Sequence, residues 1–312
     1  MPQKKAIYLA SLLTFFILVP LSLSAWGNSQ DGLFPITLID DFGTEVTLIK
    51  RPERIISAAP SNTEIIFALI LESKLVGRSE FCNYPPGVEE IESIGVMSPL
   101  NLEKIISLEP DLILSYGGFQ TKDIPRLREL GFKVLVIEAE SLAEMLRSIE
   151  LIAAACGIPE KGRELITDLQ ERISVITNLS AIIPEIQKPK VFTGSSYETI
   201  WSPGNGTLFH ELITLAGGLN IVGNQQGWVP ISPELVAQAE PDIIIVPSGI
   251  MNPDEINKMK NDIINRPGWS QLPAIKNNQI FTVNEDFFYR AGPRLVDGLE
   301  LLYEIFNKTR KE

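Results

Sequence analysis

Two stretches of the chain, NLEKIISLEPDLIL at residues 101–114 and SPELVAQAEPDIII at residues 232–245, align with each other without a gap. In each stretch a polar residue and an acidic residue open an apolar helical pattern, and the dipeptide Pro-Asp precedes a short apolar run. This pattern predicts a capped helix followed by a buried strand, twice in one chain. A unit that occurs twice indicates two lobes of like construction.

Further apolar runs of strand length lie on both sides of the two repeated stretches, separated by segments with a helical pattern. The predicted strands are 36–39, 46–49, 54–59, 111–115, 133–137, 190–193, 242–246 and 279–283. The first two flank turn-forming residues and are expected to form a hairpin. Short apolar strands that alternate with helices are typical of parallel sheets covered on both faces. We therefore predict an α/β fold with two Rossmann-like lobes and parallel-rich sheets.

A capping signal follows the third predicted strand. The tetrapeptide SNTE at residues 61–64 stands directly before an apolar run. Serine and glutamate at this spacing are typical of a capping box, in which each side chain satisfies a free backbone amide of the first helical turn. The motif predicts that a helix starts at Ser61 with Glu64 as its capping partner.

A long helix is predicted between the lobes from the sequence PEKGRELITDLQERISVITNLSAII, residues 159–183. Its apolar residues recur at spacings of three and four, and a rise of about 1.5 Å per residue makes it more than about 30 Å long. Pro184 and Pro189 end it, because proline lacks the amide that a helix needs. The predicted organisation is an N-terminal lobe at 26–158, a rigid linking helix at 159–184 and a C-terminal lobe at 185–312, with a ligand cleft between the lobes.

The first residues have the order of a secretory signal. Lysines precede the apolar run 6–23, and small residues close it. We predict a signal peptide at 1–25 and a mature protein that begins near Trp26. The alternative is a retained membrane anchor, since the run is about long enough to span a bilayer. No cysteine stands directly after the run, which argues against an acylated lipoprotein and favours a soluble periplasmic protein.

Composition excludes several classes of function. The chain carries 27 Lys and Arg against 39 Asp and Glu, a formal net charge of −12. A field of this sign repels phosphate backbones, so no nucleic-acid partner is expected. One histidine and two cysteines rule out a multi-histidine metal site, and we expect no metal and no resident cofactor.

The two cysteines admit a single intramolecular disulfide. Cys82 lies in a predicted loop, whereas Cys156 ends a strongly apolar helical segment. A lone cysteine in such a segment usually behaves as a small apolar residue. A disulfide remains open for an exported protein, but the sequence favours two free thiols.

No catalytic constellation is found in the sequence. There is no G-x-S-x-G elbow, no Walker loop and no glycine fingerprint of a dinucleotide site. His210, in TLFHELI, has apolar neighbours at helical spacing, and we interpret it as a satisfied or surface residue rather than a base. The sequence therefore predicts a protein that is not an enzyme.

Aromatic residues concentrate outside the periodic segments. They are Phe81, Tyr84, Tyr116, Tyr197, Trp201, Trp228, Phe287, Phe288 and Tyr289. Tyr116, Tyr197 and Phe287 each follow a predicted strand, at the edge where open α/β sheets bind ligands. Two such edges predict an aromatic cleft suited to a bulky planar ligand. Tyr84, beside two prolines, is better interpreted as a core residue.

Glu103 and Glu234 occupy equivalent positions in the two repeated stretches. Asn101 and Ser232 are suitable N-caps, which places each glutamate second in its helix. A negative charge there is stabilised by about 0.3 to 1 kcal/mol, which alone could explain both residues. Two equivalent carboxylates would also suit a two-fold symmetric partner.

Several motifs in matching order resemble a known family. They are RPERIISAAPSNTEIIFALI at 51–70, NYPP at 83–86, the stretch 101–114, the long helix and FFYRAGPR at 287–294. Together they look like the substrate-binding proteins of ABC importers that have a single rigid helix between their lobes. That family carries cobalamin, ferric siderophores, haem and, in a histidine-rich branch, bare metal ions. The resemblance spans the chain from about Ile36 to its C-terminus and implies a monomer.

Within this family the sequence is most similar to the cobalamin carriers. That resemblance implies ligand contacts at Phe81, Met97, Tyr116, Trp201, Trp228, Asp286 and Arg290, to which the strand-end argument adds Phe287. Arg290 would donate to an amide oxygen or phosphate, and Asp286 would accept from amide groups. The resemblance also implies that Glu103 and Glu234 pair with arginines of a dimeric membrane permease.

The sequence thus predicts a periplasmic protein that captures cobalamin or a related corrinoid and delivers it to an ABC importer. The alternative keeps the transport role but exchanges the ligand for a ferric siderophore or haem. An anionic siderophore would require several basic residues, whereas Arg290 is the only basic cleft candidate. An exported enzyme is the third interpretation.

Overall fold

The computed structural model describes residues 30–194, 200–249 and 252–310. The predicted signal peptide at 1–25, the mature start near Trp26 and the aromatic residue Tyr197 lie outside these residues. Within the described ranges, no helix is both long enough and apolar enough to cross a membrane.

The first lobe is built on a four-stranded parallel sheet. Its elements are β1 (Ile36–Ile39), β2 (Glu45–Leu48), β3 (Ile55–Ser57), α1 (Pro60–Ala68), β4 (Leu75–Arg78), α2 (Leu102–Ser107), β5 (Leu112–Tyr116), α3 (Gly117–Gln120), α4 (Ile124–Glu129), β6 (Val134–Ile137) and α5 (Leu142–Ala155). The sheet order is β4-β3-β5-β6, and β1 and β2 form a separate antiparallel hairpin. The parallel sheet and the hairpin agree with the sequence prediction.

The second lobe follows the long helix α6 (Pro159–Ala181) and repeats the scheme. Its elements are β7 (Lys190–Thr193), β8 (Ile200–Pro203), α7 (Leu208–Leu215), β9 (Leu219–Asn220), β10 (Trp228–Ile231), α8 (Pro233–Ala239), β11 (Ile243–Ser248), α9 (Pro253–Ile264), α10 (Pro273–Lys276), β12 (Ile280–Asn284), α11 (Asp286–Tyr289) and α12 (Leu295–Thr309). The parallel sheet has the order β12-β11-β7-β9, and β8 pairs with β10 antiparallel. The fold is therefore α/β with two lobes, each containing a parallel sheet.

Equivalent aspartates perform the same structural task in both repeats. Asp111, before β5, accepts hydrogen bonds from the backbone amides of Glu53 and Arg54 at 2.9 Å. Asp242, before β11, accepts from the backbone amide of Lys190 at 2.8 Å. In each lobe the carboxylate thus fixes the start of the neighbouring strand, which explains why an aspartate occurs at this place in both stretches.

One continuous apolar core joins the lobes through the long helix. Helix α6 has 23 residues, about 34 Å at 1.5 Å per residue. Its buried Leu169 and Ile176 belong to the same cluster as Ile152 of α5, Leu212 of α7 and Leu299 of α12. Because side chains of both lobes pack on one helix, movement of one lobe against the other disturbs close-packed contacts.

Four strands have no counterpart in the predicted set. Strand β4 has the sequence LVGR, and β9 is two residues long, so neither has a clear apolar pattern. Strands β8 and β10 each contain a proline, which weakens the strand signal and confines them to edge positions. Trp201 and Trp228 consequently lie on paired strands and not, as predicted, in loops.

The predicted capping box is wrong. Helix α1 begins at Pro60, after the N-cap residue Ala59, and no side chain caps it. Proline tolerates this position because its missing amide would have no helical partner there. Glu64, fifth in the helix, bonds instead with Arg294 of the second lobe.

Both cysteines are buried and free, as the sequence favours. The Cys82 thiol accepts a hydrogen bond from Thr63 Oγ1 at 3.1 Å. Burial raises the pKa of Cys156 to about 12. The protonated thiol is unreactive towards oxidants and metals, so this cysteine has a packing role.

A cleft between the lobes as the candidate ligand site

Two adjoining cavities lie between the lobes, at the carboxyl ends of the sheet strands. Their volumes are about 260 and 400 Å³. Both are lined by Tyr116 and Ala139 of the first lobe and by Leu208 and Tyr289 of the second. The shared walls make them one interlobe cleft, which is the site that two facing strand edges predict.

The first cavity contains most of the predicted contact residues. Phe81, Met97, Tyr116, Asp286 and Arg290 all line it. The Phe81 side chain is half exposed, so its apolar surface is available to a ligand.

Phe119 extends this wall at the rim of the first cavity. It is 67% exposed, and its ring centroid lies 5.9 Å from that of Tyr116. The sequence analysis missed Phe119 because it lies in α3, a helix of four residues, which is too short to show a periodic apolar pattern.

The second cavity is lined by Trp228 together with Tyr289. Their rings meet edge to face, with centroids 5.3 Å apart and planes at 68°. Tyr289 also packs against Phe209, which stacks on the buried Phe288 at 4.4 Å. The core thereby holds the cleft aromatics in place, which lowers the entropy that ligand binding must overcome.

Two predicted contact residues do not line the cleft cavities. Trp201 lies opposite Pro230 in the β8–β10 pair and is half exposed, outside both cavities. Phe287 packs beside the Arg294 guanidinium, 5.4 Å from its ring centroid.

Helix geometry explains the position of Phe287. Asp286, Tyr289 and Arg290 are related by three and four residues, so they share one face of α11 and its C-cap. That face lines the cleft, and Phe287 points away from it. Tyr289 takes the place that the strand-end argument assigns to Phe287.

The polar pair at the C-terminal side of the cleft is already formed. Arg290 Nη2 lies 2.9 Å from Asp286 Oδ1. Arg290 also donates to Asn83 Oδ1 at 2.6 Å and to the Phe81 carbonyl at 3.4 Å. The Asp286–Arg290 pair, called the cleft pair below, therefore bridges the two lobes as well as facing the cavity.

A second ion pair lies behind the first. Arg294 donates to Glu64 through Nε at 2.9 Å and through Nη2 at 2.5 Å, and both residues are buried. We call Glu64–Arg294 the buried pair. Burial raises the pKa of the Glu64 carboxyl, while Arg294 opposes that shift. The sequence analysis missed this pair because its partners are separated by 230 positions.

Tyr84 is not the core residue that the sequence indicates. Its side chain is 39% exposed. The Arg294 guanidinium lies 3.9 Å from its ring centroid, a cation–π contact. Tyr84 therefore shields the outer side of the buried pair.

Glu103 and Glu234 occupy the helix positions that the sequence predicts. Each is the second residue of its helix, α2 or α8, and both are exposed. Asn101 and Ser232 cap these helices by accepting from the backbone amides three residues later, at 3.0 and 3.3 Å. The backbone amide and Ser232 lower the pKa of Glu234. Each lobe thus presents one charged carboxylate at the same place.

His210 lies outside both cleft cavities and contacts a neighbouring side chain. Its Nδ1 lies 3.1 Å from Asn220 Nδ2, and burial lowers its pKa. Across the part of the chain that the structure describes, no three metal-ligating side chains come together.

The chain matches the periplasmic binding protein family over residues 55–287. It belongs to this family. This chain is 32% identical to an uncharacterized ABC transporter substrate-binding lipoprotein of Bacillus subtilis, over 97% of this chain and 99% of the relative. These matches confirm the resemblance to ABC-importer binding proteins, a family of transport proteins rather than enzymes.

Two solved structures extend the comparison. The periplasmic vitamin B12 binding protein of Vibrio cholerae is 29% identical, with a TM-score of 0.71 over 84% of this chain and 99% of that one. The periplasmic heme-binding protein of Roseiflexus sp. RS-1, in apo form, is 26% identical, with a TM-score of 0.74 over 83% and 99%. Similar folds thus hold different ligands.

Proposed function

We propose that this periplasmic binding protein is exported to the periplasm, captures cobalamin or a related corrinoid in its interlobe cleft and delivers it to an ABC importer. One observation carries the proposal: the cleft combines aromatic rings from both lobes with the Asp286–Arg290 pair. A corrinoid is a wide macrocycle with peripheral amides. Aromatic rings provide large apolar contact areas, and a carboxylate beside a guanidinium can accept from and donate to amides.

The similarity to vitamin B12-binding proteins supports this ligand. A Vibrio cholerae protein of that name is 30% identical over 85% of this chain. Its support is indirect, since the heme-binding relative has the same fold. The choice between the ligands therefore depends on the cleft residues of this chain.

Haem is the second candidate because the cleft contains residue types that ligate haem iron. Tyr116 and Met97 line the first cavity, and tyrosine and methionine both occur as axial ligands. Burial and the nearby Glu138 raise the pKa of Tyr116, which opposes the deprotonation that a tyrosinate ligand requires. Coordination to iron would itself promote this deprotonation, so the titrations below decide between the two ligands.

Parallel calorimetric titrations test the proposal. The purified mature protein is titrated with cyanocobalamin, haem and a ferric hydroxamate, and we expect heat from cyanocobalamin. Trp228→Ala should raise the Kd roughly 10- to 100-fold, since a contacting tryptophan commonly contributes more than 1 kcal/mol. Ile186→Ala, at a residue 94% exposed and outside the cleft, is the control. Heat from haem or the hydroxamate with none from cyanocobalamin would contradict the corrinoid assignment.

For delivery we propose that Glu103 and Glu234 contact the permease. Their equivalent exposed positions on the two lobes match the symmetry of a dimeric partner. Glu103→Ala combined with Glu234→Ala should leave the ligand Kd unchanged but slow association with permease vesicles, because exposed charges act mainly on encounter. Glu164→Ala, another exposed glutamate, is the matched control. An unchanged association rate in the double variant would overturn this assignment.

A further inference from the structure

The charged side chains that line the cleft are mostly acidic. Glu285, Asp286 and Arg290 line the first cavity, and Glu140 lines the second. Three carboxylates therefore stand against one guanidinium among the described lining residues. Walls of one charge sign around a narrow opening focus the field inside it.

The single guanidinium already has acidic partners within the protein, so it offsets little of an added negative charge. Arg290 is bound to Asp286 at 2.9 Å and to Asn83 at 2.6 Å, and Glu64 Oε1 lies 3.7 Å from its Nη1. The Arg290 guanidinium thus enters the cleft with its charge already offset by Asp286 and, at longer range, by Glu64. A ligand carboxylate that binds to Arg290 would also lie close to Asp286 Oδ1, which is 2.9 Å from the same guanidinium, and like charges repel.

Glu285 contributes a carboxylate on the C-terminal side that the sequence analysis missed. It follows β12 and is half-buried, and its backbone amide donates to the Ser248 carbonyl at 3.2 Å. Its side chain lies so close to Gly249 that a Cβ there would be 2.8 Å from Oε1. Burial and the neighbouring Asp286 raise its pKa, while Arg290 and a hydrogen bond with the Gly249 backbone lower it. A ligand carboxylate placed here would lie beside two acidic side chains.

Glu140 contributes a carboxylate on the opposite side of the cleft. It follows β6 in the first lobe, and its backbone amide donates to Glu144 Oε2 at 2.7 Å. Its side chain is exposed and lines the cavity that Trp228 and Tyr289 form. A ligand seated between the lobes therefore meets carboxylates on both sides.

We infer that the cleft selects a neutral or cationic macrocycle and rejects an anionic one, and that Glu140 and Glu285 set this charge preference. The inference rests on the proposed function and deepens it. Carboxylates accept hydrogen bonds from amide N–H groups, so neutral amides bind favourably. A ligand carboxylate at the same place meets like charge, and the one guanidinium that lines the cleft is already paired with Asp286.

The test uses two pairs of ligands in which one member has an added negative charge, and the glutamine variants separate the effect of that charge from the other differences within a pair. The first pair is cyanocobalamin and its derivative with one side-chain amide hydrolysed to a carboxylate. The second pair is the dimethyl ester of haem and haem itself. Each is titrated into the wild-type protein, Glu140→Gln, Glu285→Gln and the double variant, with Glu164→Gln as the control at an exposed site outside the cleft.

We expect the wild type to bind cyanocobalamin about tenfold more tightly than its carboxylate derivative, as one added like charge at roughly 10 Å predicts at an intermediate dielectric. The preference for the ester over haem should be at least as large, because haem has two carboxylates. The double variant should lose most of this preference, and the control should keep it. Thermal unfolding verifies that the variants fold. A preference that stays unchanged in the double variant, or is absent from the wild type, would overturn the inference.

The two haem ligands keep this inference separate from the proposed function. If only the haem pair binds and the ester is preferred, the corrinoid assignment fails while the charge preference stands. If corrinoids bind but the carboxylate derivative binds equally well, the function stands and the charge preference fails.

Discussion

The cleft pair and the buried pair contain the same chemical groups, and their arginines are four residues apart. Arg290 lines the cleft and pairs with Asp286, and both side chains are partly exposed, at 17% and 14%. Arg294 and Glu64 are buried, with side chains only 9% and 2% exposed. Two N–H groups of the Arg294 guanidinium bond to the Glu64 carboxylate. Both pairs bridge the lobes, and they contact each other, since Arg290 lies 3.7 Å from Glu64 and Arg294 lies 3.7 Å from Asp286. Solvent access, rather than residue type, leaves only the cleft pair open to a ligand.

The largest effect is expected from breaking the buried pair on one side. Arg294→Ala leaves the buried Glu64 carboxylate without its bidentate partner, and we expect the free energy of unfolding to fall by roughly 3 to 5 kcal/mol. Denaturant titration measures it. Arg290→Ala is the matched control on the same segment, where Asp286 keeps Arg294 and Asn83 as partners, so the loss should be smaller, about 1 to 2 kcal/mol. Equal losses in the two variants would remove the distinction between the pairs.

Replacing both buried charges sharpens the comparison. In Glu64→Leu combined with Arg294→Met no unpaired charge remains, so the double variant should recover about 2 kcal/mol or more relative to Arg294→Ala. The same denaturant titration reports this coupling. A double variant no more stable than Arg294→Ala would show that Arg294 acts through another contact, such as its stacking on Tyr84.

Ligand affinity, unlike stability, should depend more on the cleft pair than on the buried pair. Arg290→Ala removes a charged donor from the cleft, and hydrogen bonds to charged groups contribute about 1.5 to 3 kcal/mol, so the cyanocobalamin Kd should rise roughly 10- to 100-fold. The double replacement of the buried pair should change this Kd much less, because neither residue lines the cleft cavities. Calorimetry measures the Kd of both variants. A larger rise in Kd for the double replacement than for Arg290→Ala would contradict a ligand contact at the cleft pair.

The smallest effect is expected at His210, which belongs to neither pair. Burial lowers its pKa in the folded state, so below the ordinary value of about 6.5 the unfolded chain binds more protons. The stability that neutral His210 contributes is fully present above about pH 6.5 and is lost as the pH falls through the pKa of His210 in the folded state. His210→Asn should therefore flatten the stability profile between about pH 7.5 and 5. Superimposable profiles, by thermal unfolding at each pH, would contradict the shift.

Much of the fold was predictable because its signals are local. Apolar runs predicted the inner strands of both sheets to within one or two residues at most ends, and the spacing of apolar residues predicted the long helix. The weak edge strands β4 and β8 to β10 were missed, since glycine, arginine and proline interrupt their patterns. A periodic apolar pattern predicts an element only where that element buries one continuous face.

The cleft was predictable in part. Tyr116 and the Asp286–Arg290 pair line it because strand ends and motif positions are fixed along the chain. Phe287 was assigned to the cleft instead of Tyr289, since one turn of helix decides which side chain faces inwards. Glu140 and Glu285 belong to no motif that would have predicted them. They line the cleft because the folded chain brings the two lobes face to face.

The sequence by itself determined the repeated α/β units, the long helix between them and the equivalent glutamates Glu103 and Glu234, because these depend on residues near each other along the chain. Only the tertiary structure decided that Glu64 leaves its predicted capping role to bind Arg294, 230 residues away. Burial and pairing are set by packing between distant segments, and an isolated helix start contains no information about the partner that packing will supply.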